Sequence, residues 1–335
     1  MKNKKDSTSL FTDILNIKNV TKITDKDREL FNQFYFKNKN SFDFSNSWFY
    51  AIQSTIFGGY KYFDGESLIA FTTKSPGETP FAIVQFLGEN SEKKAFKLAK
   101  ELIALSGKEV IFKNLTSKQF EIFAKLGCTD YVPGSGWNRN YKYDDDTFPE
   151  AIIKLEDLIP LKGRVHKILR YRLNSFYKEN YSVENYSKKY SKDADMVIEK
   201  WLAMIKGRYK DYLKEDKIIL HSAQIHRKFL ELIDSGAAGN DFLAKLIFVN
   251  GKPLAFSIGY KLSDSAIGLY TNVTSNNSIK GISEAIIFEL LKEANVRGYK
   301  YANLGGSEFQ SLLDYKKKFE PWQYLQKTHA VLYSD

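Results

Sequence analysis

The chain has 335 residues, of which 43% are hydrophobic and 15% aromatic, and its formal net charge is +10. This composition excludes a disordered or low-complexity protein, and at ~150 residues per domain the length favours two domains. The positive charge favours polyanionic partners such as nucleic acid, nucleotide phosphates or phospholipid headgroups, although an AT-rich genome, which enriches Lys, Asn and Tyr, would also explain it.

Cysteine and targeting signals are sparse. Cys128 is the only cysteine, so neither a disulfide framework nor a cysteine-based metal site is expected. The N-terminus lacks the apolar run of a signal peptide, and no stretch approaches the ~20 apolar residues of a membrane span. We therefore expect a soluble, cytoplasmic protein without a transmembrane segment.

The first half of the chain predicts helices followed by a strand meander. A helix is expected from Thr24 and a second around Trp48, and two strands then meet at Asp64-Gly65, a dipeptide typical of tight hairpins. A third strand follows, then a helix ended by Gly107, a strand, a helix ended by Gly127 and a last strand, TDYVPG. The glycines predict helix ends because they adopt the left-handed conformation easily.

A basic segment separates the two halves. Pro149 and Pro160 bracket IIKLEDLI, which we interpret as a connector, and a helix is expected from Gly163 to Lys178. From Pro160 to Lys192 inclusive there are nine lysine or arginine residues and two glutamates, so the charge clusters here. The predicted apolar face of this helix consists of Val165, Ile168, Leu169, Leu173 and Phe176.

The second half repeats the order of the first. Two helices precede a hairpin at Asn250-Gly251, and a strand, a helix and a strand follow. A repeated order without sequence identity indicates duplication of one structural plan. The predicted division is a flexible N-terminal arm at 1–20, a first domain at 21–147, a connector with the basic helix at 148–192 and a second domain at 193–335.

This order is the layout of a GNAT-type acyltransferase fold, present twice. Four passages, LEDLIPLKGRVHKILRYRLNSFYKEN, IEKWLAMI, NSIKGISEAIIFELLKEANVRGYKYANLGG and YKKKFEP, resemble the aminoacyl-transferring domain of phosphatidylglycerol lysyltransferases, relatives of the Fem peptidoglycan aminoacyltransferases. The resemblance covers roughly Asp27 to Leu332. It implies an α/β fold with mixed sheets, built from two tandem GNAT-like domains joined by the basic helix.

The resemblance also implies a reaction. The donor would be an aminoacyl-tRNA, whose ester an acceptor attacks directly, and no tightly bound cofactor is implied. The acceptor, whether lipid, peptide or small molecule, is left open, as is peripheral contact with a membrane. The chain departs from the family in one strand, which reads LYTNV where the family has Asp and Arg.

Three residues are candidates for catalysis. Lys316 and Lys318 match the family's closing F-K-x-K-F segment, in which Tyr315 replaces the first Phe, and a preorganised cation would stabilise the oxyanion of a tetrahedral transition state. Glu308 follows Gly305-Gly306 and is a candidate general base. Each also has a structural explanation, since lysine runs and loop carboxylates are commonly solvated.

The substrate-binding candidates lie on the strand LYTNV, in the turn after it and at the end of the next strand. Amides at a helix N-terminus bind phosphate, although Gly281 and Ser283 would equally serve as an ordinary N-cap. The set is Tyr270, Asn272, Lys280, Gly281, Ser283, Gly305 and Gly306. Contact with the tRNA backbone is predicted at Arg164, Lys167, Arg170 and Arg172. The histidines lack ligand spacing, so no metal site is predicted.

Two other functions stay open at this stage. The turn before the last long helix would also hold the pyrophosphate of acyl-CoA in an acyl-CoA-dependent N-acyltransferase. The missing Asp and Arg would instead fit a non-catalytic tandem-GNAT binding module. The first half has no comparable polar turn with a lysine-rich segment, so we expect it to shape the cleft while the second half carries the active site.

Overall fold

The structure is a computed structural model that describes residues 12–35, 41–53, 56, 58–73, 81–130, 148–208, 217–276, 278–307 and 310–334. Three sequence-based predictions fall partly or wholly outside these ranges. They concern Glu308, the end of the strand TDYVPG and residues 1–11 of the N-terminal arm.

The elements of the first half follow the predicted order, preceded by one strand at Val20–Lys22 that was not predicted. They are β1 (Val20–Lys22), a 3₁₀ turn (Asp25–Asp27), α1 (Arg28–Tyr35), α2 (Trp48–Gln53), β2 (Gly59–Phe63), β3 (Ser67–Thr73), β4 (Phe81–Gly88), α3 (Ser91–Ser106), β5 (Val110–Leu115), α4 (Ser117–Lys125) and β6 (Thr129–Asp130). The Asp64-Gly65 hairpin forms because the Asp64 carboxylate accepts the amide of Ser67 at 2.9 Å. Gly107 ends α3 in the left-handed conformation, φ +65°.

The second half contains more strands than the sequence indicated. Its elements are β7 (Glu150–Lys154), α5 (Leu155–Leu158), α6 (Lys167–Phe176), β8 (Tyr181–Asn185), α7 (Ser191–Arg208), α8 (Lys217–Asp234), β9 (Phe242–Val249), β10 (Lys252–Lys261), β11 (Ala266–Thr274), α9 (Ile282–Val296), β12 (Tyr301–Asn303), α10 (Gln310–Lys317), β13 (Gln323–Leu325) and β14 (Thr328–Leu332). Asn250 and Gly251 both have positive φ, 50° and 71°, as a two-residue hairpin turn requires.

Among the described residues, the strands form two sheets of seven, ordered β1-β2-β3-β4-β5-β14-β6 and β8-β9-β10-β11-β12-β7-β13. Neighbouring strands at corresponding positions of the two sheets have the same relative direction, parallel or antiparallel. The pair β4–β5 matches β11–β12 as the parallel pair, and the other pairs are antiparallel. The fold is therefore a mixed α/β arrangement of two GNAT-like units with one shared plan.

The two halves exchange one strand. β7 follows the first half in sequence but pairs with β12 and β13, whereas β14 ends the chain but pairs with β5 and β6. The segment IIKLEDLI, interpreted as a connector, is thus a buried strand and a short helix of the second unit. The predicted boundaries 148 and 193 therefore do not separate the strands of one sheet from those of the other. The predicted division into domains stays a prediction.

The strands alternate between two cores, as the two-residue period of a strand requires. In β3, Leu68 and Ala70 face a central core shared by both sheets, whereas Ile69 and Phe71 face an outer core under α3 and α4. The outer core also contains Ile14. Ile14 is fully buried, so the C-terminal part of the predicted flexible arm packs against the outer core.

α6 packs on the second unit through part of the predicted face. Leu169, Leu173 and Phe176 are buried in one core with residues of α9. Val165 and Ile168 are exposed instead. Val165 precedes the helix, and Ile168 lies about 100° around the axis from Leu169. None of the helices in the described ranges is both long and apolar enough to cross a bilayer.

Candidate functional site

The parallel strands β11 and β12 separate after a short contact. They pair over Ala266–Gly268 and Tyr301–Asn303, and from Leu269 onward β11 is paired with β10 alone. A cavity of about 310 Å³ occupies the gap between the separating ends. Its second-half wall includes Leu269, Tyr270, Asn272, Gly305, Gly306 and Lys316, and its first-half wall includes Phe44, Tyr50 and Asn114.

Lys316 is the cation of this cavity wall. Its side chain is buried, and Nζ donates to the carbonyl oxygens of Gly305, at 3.0 Å, and Gly306. These contacts tie α10 to the end of β12 and hold a positive charge beside the cavity. Tyr270, Asn272 and the glycine pair also line the cavity, so five of the predicted site residues lie together.

Asn272 and Tyr315 line one end of the cavity and belong to a neutral hydrogen-bonded group with Ser283 behind them. Asn272 Nδ2 donates to Ser283 Oγ at 3.4 Å, and Ser283 Oγ lies 2.9 Å from the Tyr315 hydroxyl. Burial, reinforced by the nearby Glu284 carboxylate, raises the pKa of Tyr315, so its hydroxyl keeps its proton. Asn272 Oδ1 is buried without a hydrogen-bond partner among the described residues, which leaves an acceptor beside the cavity.

Lys318 does not line the cavity. Its Nζ lies 2.8 Å from Glu284 Oε1, and Glu284 is a buried residue in the first turn of α9. A carboxylate at this position also interacts favourably with the positive end of the helix dipole. The structure therefore gives Lys318 a structural ion pair, and its catalytic role stays a prediction.

The turn before α9 is covered by α6. Gly281 has φ +87°, and a Cβ there would lie 2.1 Å from the backbone carbonyl oxygen of Arg172. Lys280 Nζ donates to the Tyr171 hydroxyl at 2.6 Å. Lys280, Gly281 and Ser283 are absent from the residues that line the cavity, so the predicted phosphate-binding turn packs on α6 and lies beside the cavity.

The segment before α2 closes the cavity from the first half. Asn303 Nδ2 donates to Phe42 O and to Glu150 Oε2, both at 2.6 Å, and the Phe44 amide donates to the same Glu150 oxygen at 3.3 Å. Phe44 stacks on Tyr270, and burial raises the pKa of the Tyr270 hydroxyl. Sequence reasoning missed Phe44 and Glu150, because no local pattern brings them to β11.

His226 is a further cavity residue that the sequence analysis did not single out. Burial lowers its pKa to about 4, so the imidazole is neutral near pH 7. Its Nδ1 lies 3.2 Å from Thr271 Oγ1. The helical spacing of His226, Ile225 and the buried Phe229 on α8 was a signal for an inward-facing position.

The corresponding gap in the first sheet is filled by protein groups. β4 and β5 pair over Phe81–Ile83 and Val110–Phe112. Beyond these residues Gln85 Nε2 donates to Ser47 O at 3.0 Å, and Asn114 Nδ2 donates to the Tyr50 hydroxyl at 2.9 Å. Tyr50 and Asn114 also line the cavity of the second unit, and the expectation that the first half shapes the cleft stays a prediction.

The four predicted tRNA-binding residues are not equivalent. Arg164 and Lys167 are exposed, whereas Arg172 is half-buried beside Gly281. Arg170 donates to the carbonyl oxygens of Leu161 and Gly163 and so closes the loop before α6. Contact of this set with tRNA stays a prediction.

The two sheets have the same strand order and directions, and a cavity lies where the parallel strands β11 and β12 separate. These features define a tandem GNAT-like acyltransferase fold. The sequence matches the family "Phosphatidylglycerol lysyltransferase, C-terminal" over residues 40–334. The chain therefore belongs to this family, and family and fold together place it among the acyltransferases. A search of curated protein sequences returned no match.

Solved structures share this fold at low sequence identity. A conserved protein of unknown function from Bacteroides thetaiotaomicron has a TM-score of 0.73 at 17% identity, covering 93% of this chain and 99% of that one. L-PGS from Bacillus licheniformis has a TM-score of 0.60 at 17% identity, with 91% of each chain covered. FemX has a TM-score of 0.60 at 12% identity, covering 93% of this chain and 96% of that one.

Proposed function

We propose that the protein transfers an amino acid from an aminoacyl-tRNA to an acceptor nucleophile in the cavity between β11 and β12. The observation that carries this proposal is the buried Lys316 ammonium on the wall of a cavity formed by separating parallel strands. Membership of the phosphatidylglycerol lysyltransferase family supports the aminoacyl donor. The net charge of +10 suits a polyanionic substrate.

The proposed step is a direct acyl transfer. The acceptor's amine or hydroxyl attacks the ester carbonyl carbon, and a new bond to carbon forms as the carbonyl electrons move to oxygen. Collapse of this intermediate breaks the bond to the ribose oxygen, which leaves with a proton as the free hydroxyl of tRNA. Lys316 stabilises the transient oxyanion through its charge, which has a strong effect in a site sheltered from water.

The acceptor must lose a proton during the same reaction. His226 lines the cavity, and burial lowers its pKa to about 4, so at pH 7 the imidazole is neutral but only weakly basic. In our proposal it accepts the acceptor's proton only transiently and passes it to the departing ribose oxygen. Asn272 Oδ1, a buried acceptor without a protein partner in the described chain, helps to orient the attacking group.

The two alternatives differ in their support. The acyl-CoA alternative needs an accessible turn before α9, but the Arg172 carbonyl packs against Gly281 there, so α6 covers this side of the turn. The binding-module alternative is favoured by one observation. Thr271 and Asn272 are neutral, in the strand where the family has Asp and Arg.

The experiment supplies total tRNA charged with radiolabelled amino acids, together with phosphatidylglycerol vesicles and mixtures of peptides and small amines. Label that moves from tRNA to another product supports the proposal. Lys316→Met should lower the rate on the order of a hundredfold, the usual effect of removing an oxyanion donor. Lys317→Met is the matched control, because Lys317 is exposed and paired with Asp314 at 2.8 Å, and it should keep the parental rate.

Three outcomes would overturn the proposal. A folded Lys316→Met variant with the parental rate would remove the role of the lysine. Label transfer from acetyl-CoA but not from tRNA would favour the acyl-CoA alternative. Absence of transfer from any donor by the folded parent would favour the binding module.

A further inference from the structure

The outward face of α6 carries apolar side chains among cations. Val165, Ile168 and Tyr171 are 60%, 61% and 58% exposed. Arg164 and Val165 lie in the turn that leads into the helix, and Arg164 and Lys167 are exposed next to these apolar residues in sequence. We call these residues, together with Lys178 and Lys280, the α6 surface.

The exposed apolar residues of the α6 surface have no function in the core. The opposite side of the helix already contributes Leu169, Leu173 and Phe176 to the core with α9. Lys280 extends the surface from the turn before α9, since its Nζ lies 4.3 Å from the centre of the Tyr171 ring. A single exposed aliphatic residue is ordinary, but a row of three on one cationic face indicates a partner.

The charge of this surface selects an anionic partner. From Pro160 to Lys192 inclusive, nine lysine or arginine residues accompany two acidic ones. Glu179, the acid next to the helix, lies just past its C-terminal end. RNA and an anionic membrane would both satisfy the cations. RNA phosphates gain nothing from Val165 and Ile168, whereas a lipid surface takes aliphatic side chains into its acyl boundary while cations contact the headgroups.

We propose that the α6 surface docks on an anionic phospholipid bilayer, with the helix lying in the plane of the headgroups. Val165, Ile168 and the Tyr171 ring insert at the acyl boundary, and Arg164, Lys167 and Lys178 contact lipid phosphates. With three apolar residues the binding is reversible and falls with salt. The proposal does not depend on the identity of the acyl donor.

The test is sedimentation of the full chain with vesicles of phosphatidylglycerol and phosphatidylcholine, against vesicles of phosphatidylcholine alone. We expect binding to the anionic vesicles that weakens as salt rises. Val165→Ser and Ile168→Ser should each weaken binding on the order of tenfold, through lost apolar burial. Arg164→Ala and Lys167→Ala should each weaken it roughly fivefold at low salt.

Val296→Ser is the matched control, because Val296 is 81% exposed at the end of α9 and outside the α6 surface. It should bind vesicles as the parent does. Circular dichroism and thermal unfolding check that every variant is folded. We expect all of them to fold, because the substituted side chains are exposed.

A parallel filter assay with total tRNA separates the two anionic partners. Parental tRNA binding by the Val165→Ser/Ile168→Ser variant, with weakened vesicle binding, supports the lipid surface. Equal loss of tRNA and vesicle binding would assign the face to RNA and overturn the proposal. Parental vesicle binding by this variant, or no binding of the parent to anionic vesicles at low salt, would also overturn it, whatever the transfer assay yields.

Discussion

The ring of Phe44 stacks on that of Tyr270, with centroids 4.1 Å apart, and the Tyr270 hydroxyl donates to the Phe44 carbonyl oxygen at 2.6 Å. The contact joins residues 226 positions apart in sequence and closes the cavity of the second unit with a residue of the first. The walls of the cavity therefore depend on both halves of the chain, and this dependence can be measured.

Phe44→Ala should lower the free energy of unfolding by about 2–4 kcal/mol, because it removes a partly buried ring and an aromatic pair worth roughly 0.5–1.5 kcal/mol. Urea unfolding followed by tryptophan fluorescence measures the change. Phe44→Leu keeps most of the apolar volume and should lose only about 1 kcal/mol. A Phe44→Leu variant as stable as the parent would mean that the stacking contributes nothing.

Gly281→Ala tests the packing of α6 on the turn before α9. The new Cβ would meet the Arg172 carbonyl oxygen at 2.1 Å, at a φ of +87°, so we expect a loss of about 2–4 kcal/mol in unfolding free energy. Gly251→Ala is the control, since φ is +71° and no atom lies within 4 Å of its Cβ position. It should lose only the conformational part, about 1–2 kcal/mol. Similar losses at the two sites would argue against close packing at Gly281.

Lys318→Met should leave the buried Glu284 carboxylate without its cation. The ammonium and the carboxylate lie 2.8 Å apart, and the Lys318 side chain is 25% exposed, so we expect a loss of about 2–3 kcal/mol. The double variant Lys318→Met/Glu284→Gln, compared by urea unfolding, should recover much of that loss. Additive effects of the two substitutions would show that the pair is not coupled.

His226 predicts a dependence of stability on acid pH. Burial lowers its pKa to about 4, below the ~6.5 of an unfolded histidine, so between these values the unfolded chain binds more protons. Stability contributed by the neutral imidazole is therefore present above pH 6.5 and is lost as pH falls toward 4. From pH 7 to pH 5 the loss should be about 2 kcal/mol.

Urea unfolding of the parent and of His226→Gln at both pH values isolates this effect. Glutamine cannot titrate in this range, so the variant should lose about 2 kcal/mol less than the parent between pH 7 and pH 5. The same pH dependence in both proteins would contradict a buried neutral His226.

Local signals predicted much of the fold. Asp64-Gly65 and Asn250-Gly251 both lie at the expected hairpins. Asn250 and Gly251 have the two positive φ angles of a two-residue turn, whereas at the first hairpin only Gly65 has positive φ and the Asp64 carboxylate accepts the Ser67 amide. The repeated order of elements also matches the pairing of both sheets. The fold class and the family follow from these features and from the four passages that resemble phosphatidylglycerol lysyltransferases.

The candidate site was predicted only in its second-half part. Tyr270, Asn272, Gly305, Gly306 and Lys316 lie along consecutive elements and share one cavity wall. Phe44, Glu150 and His226 come from elements that precede β11 by many residues. Their approach to β11 depends on how the chain is routed between the sheets, which has no periodic signature.

By itself, the sequence determined most of the longer helices, the hairpins, the duplicated order and the acyltransferase family, because propensity, turn chemistry and short motifs act over a few neighbouring residues. The tertiary structure alone decided that β7 and β14 change sheets, that the gap of the first unit is filled while that of the second is a cavity, and that Val165 and Ile168 face outward. Each of these depends on which distant surfaces bury one another, and burial depends on the assembled shape.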